Sequence, residues 1–281
     1  GGLIGYASKY NEQCVYVPDG TVNANTVTGN QYVGGLVGRI QVDGAITVRG
    51  DFENTAEITG THSVGGIFGY LYASNATTGS VTIQGNLTNS GRIVLEGLFD
   101  NVTASNAGGL IGYLSARTGV TLTGNLINRG EVTASTLYAG STGNLINTVS
   151  DLNVGGLIGS LSCQGSVTVT LDGNSVNEAP VTGIGANVTY RNLVQRVGGV
   201  IGYVNTVSGT SYGKLLIKGS LESRGDVTGC YYVGGLFGTV SASLDAQAAS
   251  LANALGTVSA VAYEGGLAGN ITGPSIETAG F

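Results

Sequence analysis

The chain has 281 residues, with 50 glycines, no Trp or Met and only 10% charged residues, far below the roughly 25% of an average globular protein. The glycines follow no three-residue period, which excludes collagen, and 42% hydrophobic residues exclude a disordered chain. A net charge of −6 without a Lys/Arg cluster argues against nucleic acid and anionic membrane surfaces as partners, and no apolar run approaches the ~20 residues of a membrane span.

One glycine-rich phrase recurs along the whole chain. It reads GGLIGY at Gly1 and returns seven times, for example as VGGLVGR from Val33 and VGGLIGS from Val154. The glycine pairs start 31 to 47 residues apart, which is the spacing of a repeat architecture with one coil per interval. We therefore predict one continuous repeat domain over residues 1–281, with a final strand from residue 265 and coils that start near residues 1, 34, 65, 108, 155, 198 and 234.

A second pattern lies between the phrases and predicts strands. In VTIQGNLTNSGRIV (81–94) and its four counterparts, apolar residues alternate with polar ones, as at Val81 and Ile83. The turn glycine always precedes a later aliphatic residue by eight positions, as from Gly85 to Ile93. The predicted fold class is therefore all-β: a single parallel β-solenoid of about seven coils, each with three short strands formed by the phrase, the VTIQG stretch and the later aliphatic stretch.

Stacked coils place equivalent side chains in columns. The polar residues after the turn glycines are expected to form a ladder that satisfies turn backbone groups; they are Asp51, Asn86, Asn125, Asn174 and Ser220. Glycines allow close backbone approach, so the aliphatic residues of the phrase are expected to fill the axis of the coil. These are Leu36, Ile67, Leu110, Leu157, Val200 and Leu236.

Three consecutive coils carry long insertions, at residues 95–107, 134–154 and 183–197. We predict that these loops cluster on one edge of the solenoid, and they are more apolar than a solvated loop requires. Two roles are open for these loops. They form a surface for recognition or subunit contact, or they pack on each other and cover the edge of the coil. The candidate binding residues in them are Phe99, Leu137, Tyr138, Tyr190 and Leu193.

Shorter insertions at another corner carry aromatic residues. Tyr70 and Tyr72 follow one phrase, and Tyr203 and Tyr212 follow a later one. Aromatic side chains on loops can stack on sugars or on a neighbouring protein, but more often they are half-buried residues that shield an edge. We expect the second of these roles.

The segment SLDAQAASLANALG (243–256) lacks strand alternation and predicts a short helix near 243–255. Ser243 suits an N-cap, and Gly256 suits the end of a helix. The apolar residues that fall on one helical face are Leu244, Ala248, Leu251 and Leu255. We expect this helix to cover an edge of the last coil.

The phrase and its spacing of about 31 residues resemble the GLUG repeat, which is named for its Gly-Leu-aliphatic-Gly core. The resemblance covers nearly the whole chain with eight matches. GLUG repeats occur in large secreted or surface proteins, including adhesin-like and protease-associated ones. The resemblance implies a repeat architecture and an extracellular or cell-surface location, whereas it names no activity.

Residue patterns for catalysis or metal binding are absent from the sequence. The acidic residues are scattered, and Glu57, Glu131 and Asp226 share one outward column with Arg92, which indicates stacked opposite charges rather than a catalytic acid pair. His62 is the single histidine and is expected at the surface. The sequence therefore predicts no enzyme activity, no cofactor and no metal site.

The three cysteines lie at unrelated repeat positions and form no CxxC motif. Cys14, Cys163 and Cys230 are expected to be small buried residues, and one disulfide among them remains open. Two sequons in predicted loops, at Asn75 and Asn101, are candidate glycosylation sites for a secreted chain.

Neither end of the chain resembles a polar terminal cap. Uncapped solenoid ends can accept the strands of another chain, so we expect a non-enzymatic extracellular structural protein that assembles head-to-tail with copies of itself into a surface filament or fibre. The alternatives are a segment of a longer array, and an adhesin segment that binds glycan or host protein through the three loops. The residues predicted to form the assembly ends are Leu3, Ile4, Tyr6, Leu267, Ile271, Ile276 and Phe281.

Overall fold

The computed structural model describes residues 1–9, 13–98, 104–137, 151–164, 166–185, 194–246, 249–254 and 256–278, and within these ranges the chain is all-β. Five parallel sheets run along the molecule, and we number them in the order in which the chain visits them. Each coil adds one strand to each sheet. The chain makes seven complete coils, and then adds one more strand to sheets 1 and 2. The predicted parallel β-solenoid is confirmed.

The strands of sheet 1 are Ile4–Lys9, Val37–Val42, Phe68–Ala73, Ile111–Ala116, Ile158–Ser162, Ile201–Asn205, Phe237–Ser241 and Ala268–Ile271. Sheet 2 contains Gln13–Tyr16, Ile46–Arg49, Ser80–Gln84, Gly119–Thr123, Thr168–Asp172, Lys214–Ile217, Ser243–Ala246 and Ile276–Thr278. Sheet 3 contains Thr21–Asn23, Phe52–Asn54, Leu87–Asn89, Leu126–Asn128, Ser175–Asn177, Ser220–Ser223 and Ser250–Asn253.

Sheet 4 contains Val27–Thr28, Ile58–Gly60, Ile93–Leu98, Val132–Leu137, Val181–Gly185, Val227–Thr228 and Val258–Ser259. Sheet 5 contains Tyr32–Gly34, Ser63–Gly65, Ala104–Gly108, Asp151–Gly155, Gln195–Gly198, Tyr232–Gly234 and Tyr263–Gly265. One small antiparallel hairpin, Val207–Ser208 with Ser211–Tyr212, projects from the sixth coil.

The three predicted strands of a coil are present, but two of them are divided by bends. The glycine phrase contributes the end of a sheet 5 strand and the following sheet 1 strand. The bend between these two strands consists of the second glycine and the residue after it. The stretch after the turn glycine contributes a sheet 3 strand and a sheet 4 strand. Equivalent residues stack in register from coil to coil, as in Gly34 with Gly65 and Gly65 with Gly108.

The interior is divided into two apolar cores. Sheets 1, 2 and 3 enclose the larger core, which includes the predicted axial column from Leu36 to Leu236, all of it buried. Sheets 4 and 5 enclose a narrower core of mostly Val, Ile and Ala, such as Val64 and Val154. A column of asparagines and the glycine pairs of the phrase lie between the two cores.

The glycine pairs are required because backbones of successive coils and the asparagine column meet there. A Cβ built on Gly109 would lie 2.1 Å from the carbonyl oxygen of Gly156 and 2.4 Å from Cγ of Asn128. A Cβ on Gly69, the third glycine of its phrase, would lie 2.5 Å from the backbone nitrogen of Val33 in sheet 5. The repeated phrase therefore marks the bend at which sheet 5 turns tightly into sheet 1.

The asparagine column is a hydrogen-bonded ladder inside the protein. The Nδ2 of Asn54 donates to Oδ1 of Asn89 at 2.7 Å, Asn89 donates to Asn128 at 2.7 Å, and Asn128 donates to Asn177 at 2.8 Å. Each Nδ2 also donates to a backbone carbonyl two residues ahead, as from Asn128 to Gly130 at 2.8 Å. These bonds satisfy buried amides that would otherwise cost free energy.

The ladder is interrupted at Ser223, which takes the asparagine position in the sixth coil. Its Oγ is buried without a described hydrogen-bond partner, and so is the Oδ1 of Asn253 in the next coil. We predict that Ser223→Asn stabilises the protein by about 1–2 kcal/mol, since the new amide donates to Asn253 and accepts from Asn177. Urea denaturation followed by circular dichroism measures the change.

Ser220→Asn is the matched control for this substitution. Ser220 lies three residues earlier, at the solvent-facing corner, where its Oγ already donates to Oδ1 of Asn174 at 2.8 Å. The same chemical change there is expected to alter stability by less than about 0.5 kcal/mol. An unchanged or lowered unfolding midpoint for Ser223→Asn would contradict the ladder interpretation.

The outer corner ladder is confirmed. Asp51 Oδ1 accepts from the backbone nitrogen of Asn86 at 2.7 Å, Asn86 accepts from the nitrogen of Asn125 at 2.9 Å, and Asn125 from that of Asn174 at 3.3 Å. The hydrogen bond from the Asn86 backbone is the main cause that lowers the pKa of Asp51. The preceding glycines have positive φ, 143° at Gly85 for example, so a side chain there is strained.

The helix predicted near 243–255 is wrong. Ser243–Ala246 is the seventh strand of sheet 2 and pairs with Lys214–Ile217, and Ser250–Asn253 is the last strand of sheet 3. The cause is pairing: Leu244 and Leu251 align with Leu215 and Leu221 of the coil below, and this tertiary contact overrides the helical spacing of the apolar residues. Among the described residues there is accordingly no helix of the length and apolar character needed to cross a membrane.

The three predicted loops are partly strand. Residues 95–98 and 104–107 belong to sheets 4 and 5, and the same holds for both ends of the insertions at 134–154 and 183–197. Each added strand segment pairs with its neighbour, as Leu95 with Ala134. The middle parts of the insertions, residues 99–103, 138–150 and 186–193, lie outside the described residues, and so do Phe99, Tyr138, Tyr190 and Leu193.

Candidate binding surface

The faces of sheets 5 and 1 that point away from the apolar cores meet at the tight glycine bend and form what we call the aromatic corner. Its smaller polar residues Ser63, Asn106, Asn153, Ser160 and Thr239 are buried. The sheet 5 column of this corner contains Tyr32, Ser63, Asn106, Asn153, Arg196, Tyr232 and Tyr263. The sheet 1 column contains Tyr6, Arg39, Tyr70, Tyr113, Ser160, Tyr203, Thr239 and Asn270. The two columns lie close enough for side chains from both sheets to make contact.

The N-terminal half of the aromatic corner is a cluster of tyrosines around one arginine. The guanidinium carbon of Arg39 lies 4.7 Å from the ring centroid of Tyr32, 5.2 Å from that of Tyr70 and 5.3 Å from that of Tyr6. Tyr32 and Tyr70 contact each other across the bend at 4.7 Å. Tyr70 stacks on Tyr113 of the next coil at 4.8 Å, with 12° between the rings. The arginine is thus held by rings from both sheets.

Burial and charge shift the titration of several groups in this cluster. Burial, with the neighbouring Tyr113 and Tyr32, raises the pKa of Tyr70. Burial is also the main cause that lowers the pKa of His62, and the positive charge of Arg39 lowers it further. The ring of His62 contacts Tyr32 at 5.4 Å, and its Nδ1 is buried without a described partner. The prediction of an ordinary surface histidine is therefore only partly right.

His62 gives a pH prediction with a definite sign. Because the pKa is lower in the folded protein than its ordinary value near 6.5, the unfolded chain binds more protons below that pH. The stability associated with a neutral His62 is complete above pH ~6.5 and is lost as pH falls below it. The urea midpoint of unfolding should therefore fall more between pH 7.5 and pH 5.5 for the wild type than for His62→Gln. Equal falls in both proteins would contradict this assignment.

The middle of the aromatic corner contains a second arginine with a different environment. Arg196 Nη1 donates to Oδ2 of Asp151 at 2.7 Å and to Oδ1 of Asn153 at 3.1 Å, and its guanidinium lies 4.0 Å from the ring centroid of Tyr203. Asn153 continues a short polar ladder by donating to Asn106 at 3.0 Å. The charge of Arg196 is therefore neutralised within the protein.

The aromatic corner was not predicted, although part of its signal is in the sequence. Tyr70, Tyr72 and Tyr203 were expected on inserted loops, but they lie on strands of sheet 1, and Tyr212 lies on the small hairpin. The signal is the last letter of GGLIGY, since Tyr6, Tyr70, Tyr113 and Tyr203 occupy that same position of the phrase. The contribution of Tyr32 and Arg39 becomes visible only when the bend places sheet 5 beside sheet 1.

The residues predicted for the assembly ends lie on the first and last coils. Leu3 and Tyr6 are 68% and 58% exposed, and Ile276 is exposed at the other end. Ile4 and Leu267 are partly buried because they pack against the larger core, and Ile271 is partly buried as well. Phe281 lies outside the described residues.

The other candidate sites have separate outcomes. Asn75 is exposed, and its Oδ1 accepts from the backbone nitrogen of Thr77 at 2.9 Å, whereas Asn101 lies outside the described residues. Leu137 ends a strand of sheet 4.

Cys163 is buried as expected, and burial raises its thiol pKa to about 11, but Cys14 is exposed. The cysteine prediction is thus right only in part.

The expected stacking of opposite charges is confirmed. Arg92 lies between Glu57 and Glu131, with nitrogen to oxygen distances of 3.6 Å and 3.4 Å. All three side chains are about half exposed, so the pairs contribute little to stability. In the part of the chain that the structure describes, no group of three or more His, Cys, Asp or Glu residues could hold a metal ion.

Comparisons with known proteins give no further assignment. No protein-family model, no curated protein and no solved structure matches the chain. The class of protein is therefore defined by its architecture alone: a parallel β-solenoid with a polar exterior, an internal asparagine ladder and an aromatic corner.

Proposed function

We propose that this protein is a non-enzymatic extracellular structural protein, a subunit of a surface filament or fibre whose end coils stack head-to-tail on further copies. The observation that carries the proposal is the distribution of exposed apolar side chains. Nine large hydrophobic residues are exposed in the described ranges, and seven of them lie on the first coil or beyond residue 260. These seven are Leu3, Tyr6, Tyr16, Val22, Val261, Tyr263 and Ile276.

The backbone of the end coils supports the same proposal. In the described part of the chain, the first and the last strand of each of the five sheets have a parallel neighbour on one side only, and an edge strand of this kind can pair with a further strand. The two ends carry the same order of sheets, and a second copy can pair in register on the eighth strands of sheets 1 and 2, whereas sheets 3, 4 and 5 have seven described strands each. Head-to-tail contacts of this heterologous kind lead to open filaments. The cell-surface location in the proposal rests on the resemblance to GLUG repeats.

The geometry specifies the axial repeat of such a filament. Sheets 1 and 2 contain eight strands, and a second copy would place its first strands directly on the eighth. Eight strand spacings of about 4.8 Å give an axial repeat of about 38 Å. Electron microscopy and sedimentation velocity of the untagged protein over a dilution series test this. Single short rods at every concentration would contradict the proposal.

Substitutions at the ends distinguish stacking from nonspecific association. Leu3→Asp and Val261→Asp put a charge on side chains that are 68% and 63% exposed, and each is expected to abolish assembly without loss of folding. Tyr212→Asp is the control, because Tyr212 is an exposed hydrophobic residue on the side of the solenoid. Equal effects of all three substitutions would indicate lateral aggregation instead.

The second candidate function is an adhesin segment that binds glycan or host protein. Its specific support is the aromatic corner, which combines tyrosine rings with an arginine on the outer surface. Strands that border the three insertions, such as Asp151–Gly155, form part of the same corner. Replacing residues 99–103, 138–150 and 186–193 by short turns is expected to abolish adhesion and keep the fold, and retained adhesion would contradict a role for the insertions.

A further inference from the structure

We propose that the Arg39 cluster of the aromatic corner binds an anionic saccharide, through a carboxylate or sulfate group on the sugar. The cluster consists of Arg39 with Tyr6, Tyr32 and Tyr70. Tyr6 and Tyr32 belong to the first coil, but they lie in the side-facing columns of sheets 1 and 5, so the site can be present whether or not the protein forms filaments.

The first argument is charge. Most described basic side chains have a carboxylate within 4 Å, but Arg39, Arg49 and Arg117 have no described one. Arg39 and Arg117 are partly buried, whereas Arg49 is exposed. A partly buried guanidinium is more costly to leave without a counter-charge than an exposed one, so an external anion gains more at Arg39 or Arg117 than at Arg49.

The second argument is the number of unused donors. A guanidinium carries five N–H groups in a planar fork that matches a carboxylate or sulfate. Arg39 Nη2 donates to Oε1 of Gln41, and this is its one hydrogen bond to a described residue. Its Nε is buried and has no described partner. Arg196 also has a buried Nε without a described partner, but its Nη1 donates to Asp151 and Asn153, so its charge is paired within the protein, whereas that of Arg39 is not.

The third argument is the aromatic surroundings, which favour a sugar over a simple ion. The rings of Tyr6, Tyr32 and Tyr70 lie on the guanidinium, and Tyr6 is 58% exposed beside it. A π face is electron-rich and attracts the positively polarised C–H groups of a pyranose, while the tyrosine hydroxyls can bond to sugar hydroxyls. Arg117 also has a buried unpartnered Nε, but among the described residues no aromatic ring lies over it. Arg196 lies against the ring of Tyr203 but is already paired with Asp151, so among the described arginines Arg39 alone combines aromatic rings with an unpaired charge.

Titration calorimetry with four defined probes tests the proposal: an oligo-uronate, a sulfated oligosaccharide, a neutral oligosaccharide of equal length, and inorganic sulfate. We expect one or both acidic saccharides to bind, and the preference between them distinguishes the carboxylate from the sulfate source. The neutral sugar should bind at least about tenfold more weakly, since it lacks the charge-assisted hydrogen bonds to the guanidinium. Absence of binding by both acidic probes overturns the proposal, and inorganic sulfate that binds as tightly as they do overturns its saccharide part.

Variants locate the binding on the protein. Arg39→Gln is expected to lower the affinity for the acidic probe at least about tenfold, and Arg39→Lys to lower it by less, because it keeps the charge but loses the planar fork. Arg49→Gln is the matched control: it removes an arginine that also lacks a described carboxylate partner but lies on sheet 2. Equal losses for Arg39→Gln and Arg49→Gln would mean nonspecific charge attraction and overturn the site. If Arg39→Gln does not fold, Tyr6→Ala, which truncates an exposed ring, must weaken binding for the proposal to stand.

Discussion

Gly109→Ala is expected to prevent the fifth coil from stacking on the fourth, at a cost of more than about 4 kcal/mol. The new methyl group would lie 2.1 Å from the carbonyl oxygen of Gly156 and 2.4 Å from Cγ of Asn128. The first neighbour is backbone of the adjacent coil, and the second is fixed in the internal ladder, so neither can move away cheaply. Relief of the clash requires separation of two coils and the loss of strand pairing beside the bend.

The control is Gly119→Ala in the sheet 2 strand of the same coil. A Cβ on Gly119 has its nearest neighbour at 3.5 Å, the carbonyl oxygen of Thr168, which is an ordinary contact. This change is expected to lie within about 0.5 kcal/mol of neutral, with a small gain from the reduced entropy of the unfolded chain. Urea midpoints from circular dichroism compare the two variants. Similar urea midpoints for the two variants would mean that close packing at the glycines of the repeated phrase does not determine stability.

The stacking of coils was predictable because it repeats. The same phrase recurs in every coil, and each turn glycine precedes its later aliphatic residue by eight positions, so the register of Gly34, Gly65 and Gly108 follows from aligning the repeats although their spacing varies. The helix prediction at 243–255 failed where the repeat becomes irregular. Local spacing of Leu244 and Leu251 suggested a helix, but the edge of the preceding coil offers hydrogen bonds to both strands, and this long-range pairing is not visible in a local window.

The aromatic corner illustrates a different limit of sequence analysis. Tyr32 lies seven residues before Arg39, and nothing in that interval alone indicates that the side chains meet. They meet because the glycine bend folds sheet 5 against sheet 1, as the close approach of Gly69 to the backbone of Val33 demonstrates. A binding site on a solenoid is thus defined by contacts across the bend and between coils, whereas the sequence displays only positions within a coil.

The internal ladder was present in the sequence as an Asn four residues after most turn glycines, but its inward direction was not evident. Asn128 is fully buried and has four hydrogen bonds: it donates to Asn177 and to the carbonyl of Gly130, and it accepts from Asn89 and from the nitrogen of Gly130. Polar residues on a strand are ordinarily expected to face solvent. Here the asparagine fits because the glycine opposite it has no side chain.

Asn128→Leu is expected to destabilise the protein by about 3–5 kcal/mol, although leucine has the same branched arrangement of heavy atoms and would lie between two apolar cores. Leucine leaves the Oδ1 of Asn177 and the backbone groups of Gly130 buried without their partners, and each such group costs about 1–3 kcal/mol. The matched control is Asn125→Leu in the same coil. Asn125 belongs to the exposed corner ladder, so water can replace its hydrogen bonds, and a cost of at most about 1 kcal/mol is expected there.

Urea denaturation of both asparagine variants, with hydrogen exchange at the amides of the third to fifth coils, measures the difference. Loss of protection for Asn128→Leu should spread to the coils on either side, because Asn89 and Asn177 each lose a ladder partner. Equal stabilities of the two variants would mean that the ladder fills space without contributing hydrogen bonds to stability. A larger effect at Asn128 would instead identify the amide ladder as the element that holds the two cores of each coil in one register, since its asparagines contact both the glycine pairs and the asparagines of the neighbouring coils.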